Sequence, residues 1–151
     1  MLDLTPIAAR LRALTTPAQG AVLGHVETSL NLKHLAEQRM PAVSIAPSED
    51  TADAAQWRPK ILTSGLSVVI VVRNLSDGKG AAALRDLAPA RFAVYQALQN
   101  WQPAGCIDPL NYLGGRLLHV ADTAIYWQDD YRTKQALTPP AWPEPQPLPL
   151  A

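Results

Sequence analysis

The sequence predicts an α+β domain: a mainly antiparallel β-sheet with two to three helices packed on it and an extended proline-rich C-terminal arm. Three observations carry this. The run ILTSGLSVVIVVRN, residues 61–74, sets Leu66, Val68, Ile70 and Val72 on one face and Ser67, Val69, Val71 and Arg73 on the other. A strand apolar on both faces is covered on both, by this chain or by another copy. The segment RLLHVADTAIYWQDDYRTK reads as two strands around a tight turn at Ala121-Asp122-Thr123-Ala124. Helical spacing of apolar residues recurs at Leu4, Ile7, Ala8, Leu11 and Leu14, and again from Leu84 to Trp101.

In chain order, the first helix takes Thr5 as its N-cap, with Pro6 at the first helical position. TTPAQG ends it. Val22 to Val26 is a short strand, and Leu30, Leu32 and Leu35 lie in a charged helical segment ending near Arg39. PAVSIAP places an apolar strand between Pro41 and Pro47, which assigns it to a sheet edge. Residues 47–57, PSEDTADAAQW, are polar and acidic and read as an exposed loop. SDGKG is a turn. In the following helix Pro89 either kinks the axis or marks its start. A loop spans 101–115. Beyond it Ile125, Trp127 and Tyr131 alternate with Tyr126, Gln128, Asp130 and Arg132. The domain is 1–137. The remaining TPPAWPEPQPLPLA, 138–151, forms neither helix nor central strand and is expected as a polyproline-like arm.

Bulk properties exclude several function classes. A chain of 151 residues makes one domain with a real core; at this size about 68–70% of the unfolded surface is buried. Thirteen basic residues balance thirteen acidic ones, which argues against a broad phosphate-binding face. The single Cys106 allows no intramolecular disulfide and no Cys/His set has zinc spacing. The N-terminus lacks signal-peptide features, and the apolar run Val68 to Val72 is far short of the roughly 20 residues that span a bilayer. No membrane association is expected.

Ser44, Ser64, Ser67, Ser76 and Cys106 are the candidate nucleophiles, and His25, His34 and His119 the candidate bases. None sits in a nucleophile elbow. His119 alternates with Leu117 and Ala121 and reads as structural. Cys106, with no adjacent cation, reads as a small buried hydrophobe. SDGKGAAALRD lacks the Ser or Thr after lysine that a phosphate loop needs, and Asp77 opposes an anion. Asp129 and Asp130 are strand neighbours that project to opposite faces and cannot share a proton. Glu49, Asp50 and Asp53 are a solvated surface. No catalytic, cofactor or metal residue is expected. Of the tryptophans, Trp101 at a helix end is read as core, Trp127 as core or subunit contact, and Trp142 as docking on its own domain or on a neighbour.

The order of motifs resembles that of a known family. Val72-Arg73-Asn74, Trp101-Gln102-Pro103, Asp108-Pro109-Leu110, Gly114-Gly115-Arg116 and Trp127-Gln128-Asp129 follow one another as in the tail terminator proteins of long-tailed bacteriophages and prophages. The resemblance covers about Leu4 to Lys134. It implies a structural virion protein assembled in the host cytoplasm: a ring, usually six-fold, that caps the tail tube, halts its growth and docks the head connector. DNA passes the lumen without specific binding. The implied partners are further copies of the chain, the tail tube protein and the head–tail connector. Structural or interface roles fall on Trp101, Pro103, Asp108, Pro109, Gly114, Gly115, Arg116, Trp127, Tyr131 and Trp142. Another neck protein is the nearest alternative. A small enzyme predicts a cleft where His119 or Cys106 converge, and a nucleic-acid module predicts a basic stripe.

Overall fold

A computed structural model describes residues 1–17, 20–53, 60–73, 81–121 and 123–137. The elements are α1 (Thr5–Arg12) with a 3₁₀ turn at Ala13–Thr15, β1 (His25–Glu27), α2 (Leu32–Ala36), β2 (Ala42–Ala52), β3 (Lys60–Arg73), α3 (Ala81–Leu98), β4 (Asn111–Val120) and β5 (Ala124–Leu137). The sheet has five strands in the order β1-β2-β3-β5-β4. All pairs are antiparallel except β1 with β2, which run parallel across the α2 crossover. The class is therefore α+β, with a mixed sheet.

β3 and β5 form the spine, paired without interruption from Lys60 opposite Leu137 to Arg73 opposite Ala124. Alternation along them builds two cores. On one face Leu66, Val68, Ile70, Val72, Ile125 and Tyr131 pack against α1 (Ile7, Leu11) and α3 (Leu87, Ala90, Val94, Leu98). On the other, Val71, Ala42, Ala124 and Tyr126 pack with Leu35 of α2. Both apolar faces of β3 are thus covered from within this chain. Farther along that second face the surface turns polar, because Ser67, Gln128 and Asp130 replace the hydrophobes; Ser67 Oγ donates to Asp130 Oδ1 at 3.0 Å and Gln128 Nε2 donates to the same oxygen at 2.8 Å.

Several expectations are corrected. Thr5 is not the cap: it is the first helical residue, and its backbone N–H donates to Asp3 Oδ1 at 3.0 Å. The strand expected over 22–26 is confined to His25–Glu27, and the helix expected to end near Arg39 to Leu32–Ala36, capped by Asn31, whose side chain accepts from the His34 N–H. The PAVSIAP strand is not an edge strand at its start, since β1 covers Ala42 to Ser44. Beyond Ser44 that side of β2 has no strand beside it among the described residues. Residues 48–52 are strand rather than loop: pairing to β3 resumes at Asp50 opposite Ser64 after a bulge, while the side chains stay exposed as expected. The rest of the expected loop, 54–57, and the SDGKG turn lie outside the described residues. α3 runs unbroken through Pro89. β4 begins at Asn111, so Gly114 and Gly115 belong to a strand and not to the preceding loop. A second irregularity between Leu117 and His119 pairs Leu117 with Trp127 but His119 with Tyr126. These two therefore do not share a face. Between β4 and β5, Ala121 N–H donates to Ala124 O at 2.8 Å, while Asp122 of the expected turn lies outside the described residues.

Candidate functional site

The rim where α3 meets the β4 edge concentrates what this chain exposes that water does not favour. β4 is the last strand of the sheet, with β5 on one side only. Its Leu117 and Val120, on the α3 side of the sheet, are 47% and 52% exposed, while Leu113, 52% exposed, lies with Gly114, Arg116 and Asp130 on the opposite side. Above it, the flank of α3 at Leu84, Ala88, Phe92 and Tyr95 follows helical spacing, and Phe92 is 59% exposed. Exposed large apolar side chains gathered on one side of a sheet in this way mark a candidate interaction surface.

Beneath this rim lies a buried polar knot. Asp129, 2% exposed, accepts two hydrogen bonds from Arg91, Nε to Oδ2 at 3.0 Å and Nη2 to Oδ1 at 2.9 Å. Tyr112 Oη and Trp127 Nε1 each donate to Oδ1 at 2.9 Å. The Arg91 guanidinium also lies over the Trp127 ring, 4.3 Å from its centroid. A buried carboxylate is tolerable only when paired and fully hydrogen-bonded, and this one is. The hydrogen-bonded carboxylate raises the pKa of Arg91. Burial, then the Asp129 contact, pushes the Tyr112 hydroxyl up. Tyr95, Tyr112 and Tyr131 continue the knot as edge-on rings, with centroids 5.8 Å and 5.3 Å apart. Tyr131 is 1% exposed, its hydroxyl has no hydrogen-bond partner, and burial raises its pKa strongly.

Gly114 and Gly115 are explained by this knot. A Cβ on Gly115 would strike the Asp129 carboxylate and stand 2.6 Å from Trp127 Nε1. Gly114, at φ +138°, lies at the bulge that breaks the β4–β5 register between Tyr112 and Gly114 and leaves Leu113 exposed. Arg116 is exposed and reaches Asp130 at 3.6 Å on the opposite, polar face.

The loop after α3 is held by its own backbone. Asn100, at φ +62°, ends the helix; its N–H donates to Leu110 O at 3.0 Å and Leu110 N–H donates back to Trp101 O at 2.8 Å. Pro103 is buried and its carbonyl accepts from Cys106 N–H at 3.1 Å. The Asp108 carbonyl accepts from Thr133 Oγ1 at 2.6 Å, and Pro109 is exposed. Trp101 is half-buried, capped by the Arg10 guanidinium 4.7 Å from its ring. Of the residues singled out in the sequence, Trp127, Tyr131 and Gly115 converge beneath the rim, and Gly114 and Arg116 fall on the opposite, polar face; Trp101, Pro103, Asp108 and Pro109 form a separate brace. Trp142 lies outside the described residues. Sequence reasoning missed Arg91 and Tyr112. The signal was present in parity: Asp129 falls on the inward set with Ile125, Trp127 and Tyr131, and an inward carboxylate requires a cation.

The candidate catalytic groups are scattered. Cys106 is buried, and burial raises its pKa. His119 is exposed on β4 with its ring tilted against Tyr126 at 5.9 Å. His34 Nδ1 meets Glu27 Oε2 at 3.1 Å near α2. Among the described residues no three of His, Cys, Asp and Glu are grouped to hold a metal ion, and no helix is long and apolar enough to cross a membrane.

The family described as phage tail terminator protein matches residues 1–141. No curated protein matches the sequence. Among solved structures, the fold is similar to a chain described as belonging to the virion of a native gene transfer agent (GTA) particle. That similarity has a TM-score of 0.57 at 14% identity, and covers 87% of this chain and 92% of the other.

Proposed function

The chain belongs to the phage tail terminator family and is a structural phage tail protein, and from that premise we propose that its copies close into a ring capping the tail tube. The ring is six-fold, stops tube polymerisation, and offers its free face to the head–tail connector. DNA passes through the lumen without specific binding, as the equal numbers of acidic and basic residues favour. The protein acts in the neck of the virion after assembly in the host cytoplasm.

The observation that carries this reading is the apolar rim. Leu117 and Val120 on an edge strand, and Phe92 of α3 on the same side of the sheet, stay exposed in a monomer that buries both faces of its central strand. A head-to-tail contact using this rim on one copy and a different surface on the next generates a ring if the rotation closes. In this reading Gly114, Gly115 and Arg116 shape the contacting edge. Trp127 and Tyr131 support it from below, and the 101–110 brace, with Trp101, Pro103, Asp108 and Pro109, fixes the angle between copies. The acidic side chains Glu49, Asp50 and Asp53 face the lumen or a partner protein.

Negative-stain imaging of the purified protein, alone and mixed with tail tubes, tests the proposal. Uniform rings, or caps at tube ends, are expected. A compact monomer that ignores tubes overturns it. Leu117→Lys is expected to abolish rings and caps while leaving the urea midpoint nearly unchanged, because an exposed substitution shifts stability by only about 0.5 kcal/mol or less.

A further inference from the structure

We propose that the groove between α3 and the sheet receives the proline-rich C-terminal segment of a neighbouring copy. The inference rests on the ring reading and names an occupant for part of its contact surface.

The groove encloses about 240 Å³ and is walled by Ala88, Phe92, Tyr95 and Tyr112, with Arg91 and Tyr131 at its floor. The Tyr95, Tyr112 and Tyr131 rings, packed edge to face, line it. Phe92 and Tyr95 remain 59% and 39% exposed. Aromatic-lined grooves of this kind take proline-rich segments, because a polyproline helix arrives pre-ordered and loses little entropy on docking.

This chain carries such a segment. β5 ends at Leu137, and TPPAWPEPQPLPLA follows. The family match covers residues 1–141, and Trp142 lies just beyond it. Fourteen residues, 138–151, extend about 43 Å at the polyproline rise of ~3.1 Å per residue. The groove of the same copy lies behind, at the level of Tyr131, about 20 Å back along β5 at ~3.3 Å per residue. Trp142 stands five residues beyond Leu137, so its backbone reaches at most about 18 Å from the end of β5 at ~3.6 Å per residue, short of that groove, and its indole is the anchor offered to the tyrosines of the next subunit.

The test uses the full chain in two singly substituted populations, Ala88→Cys on the groove wall and Ala141→Cys beside the anchor, which keep the groove's aromatic rings and the Trp142 indole, mixed and treated with a short bis-maleimide. The buried native Cys106 is a poor target for the reagent. Cross-linked pairs are expected at about tenfold the yield given by Leu30→Cys with Ala141→Cys, since docking raises the effective concentration at one site only. Equal yields overturn the proposal. So does an Ala88→Cys/Ala141→Cys double variant that cross-links only within one chain, which makes the occupant the copy's own arm. If Ala88→Cys misfolds, Leu84→Cys on the same flank replaces it. Negative-stain images of the same samples separate the two failures: rings without preferential cross-linking sink the arm and leave the ring, whereas preferential pairs without rings sink the ring and leave the arm.

Discussion

At the scale of single residues, two positions decide whether the polar knot under the rim is read correctly. Gly115 is exposed, so a substitution there would ordinarily cost nothing. Its missing Cβ, however, is the space in which the Asp129 carboxylate meets Trp127. Gly115→Ala is expected to lower stability by about 1–3 kcal/mol, the cost of overpacking, read as a lower urea midpoint. A midpoint equal to that of the parent would show that the knot has slack. Tyr131 gives the opposite expectation. Its hydroxyl is buried without a partner, so Tyr131→Phe removes an unsatisfied group and keeps the ring packed on Tyr112. Stability at neutral pH should stay level or rise by about 1 kcal/mol; a clear loss would reveal a hydrogen bond that the structure lacks. Asp129 itself was half legible in the sequence. Strand parity put it inward, but its partner Arg91 lies 38 positions away on a helix, and no local pattern links them.

At the scale of elements, sequence patterns succeeded where a segment's own side chains decide its conformation. β3 and β5 were legible because alternation and β-branched or aromatic residues agree there. The α3 periodicity was legible too, yet the proline within it left two readings open. The structure settles the matter by continuing the helix, with Pro89 on an exposed flank where its missing N–H costs a hydrogen bond but no packing. Pro89→Ala is accordingly expected to stabilise the chain by roughly 1–3 kcal/mol, raising the thermal midpoint; an unchanged midpoint would mean that the helix is already adjusted around the ring. Residues 48–52 were misread because they are polar and acidic, and strand character comes to them from pairing with β3 rather than from composition. The start of β4 was misplaced for a similar reason: two glycines suggest a loop, while here they open room beneath a strand and a bulge within it.

At the scale of the whole molecule, burial of weak acids ties stability to alkaline pH. Burial raises the pKa values of Cys106, Tyr112 and Tyr131 above those of the unfolded chain. An acid whose folded pKa is raised contributes stability that is complete below the unfolded value and is lost as pH climbs toward the folded one. The decline should begin near pH 9 for the thiol and steepen above about pH 10 for the phenols. Urea midpoints at pH 7 and pH 10.5 check this: a fall is expected in the parent and a smaller fall in Tyr131→Phe, while a flat profile would contradict the burial of these groups. One feature of the sheet bears on assembly as a whole, namely that its two borders are chemically unlike. On the β2 side Pro47 supplies no N–H, a bulge follows it, and Glu49 and Asp50 carry like charge; on the β4 side the border is greasy. Border-to-border stacking therefore finds no matching template, and runaway growth into fibrils is blocked at the end where a strand would otherwise be free to recruit another.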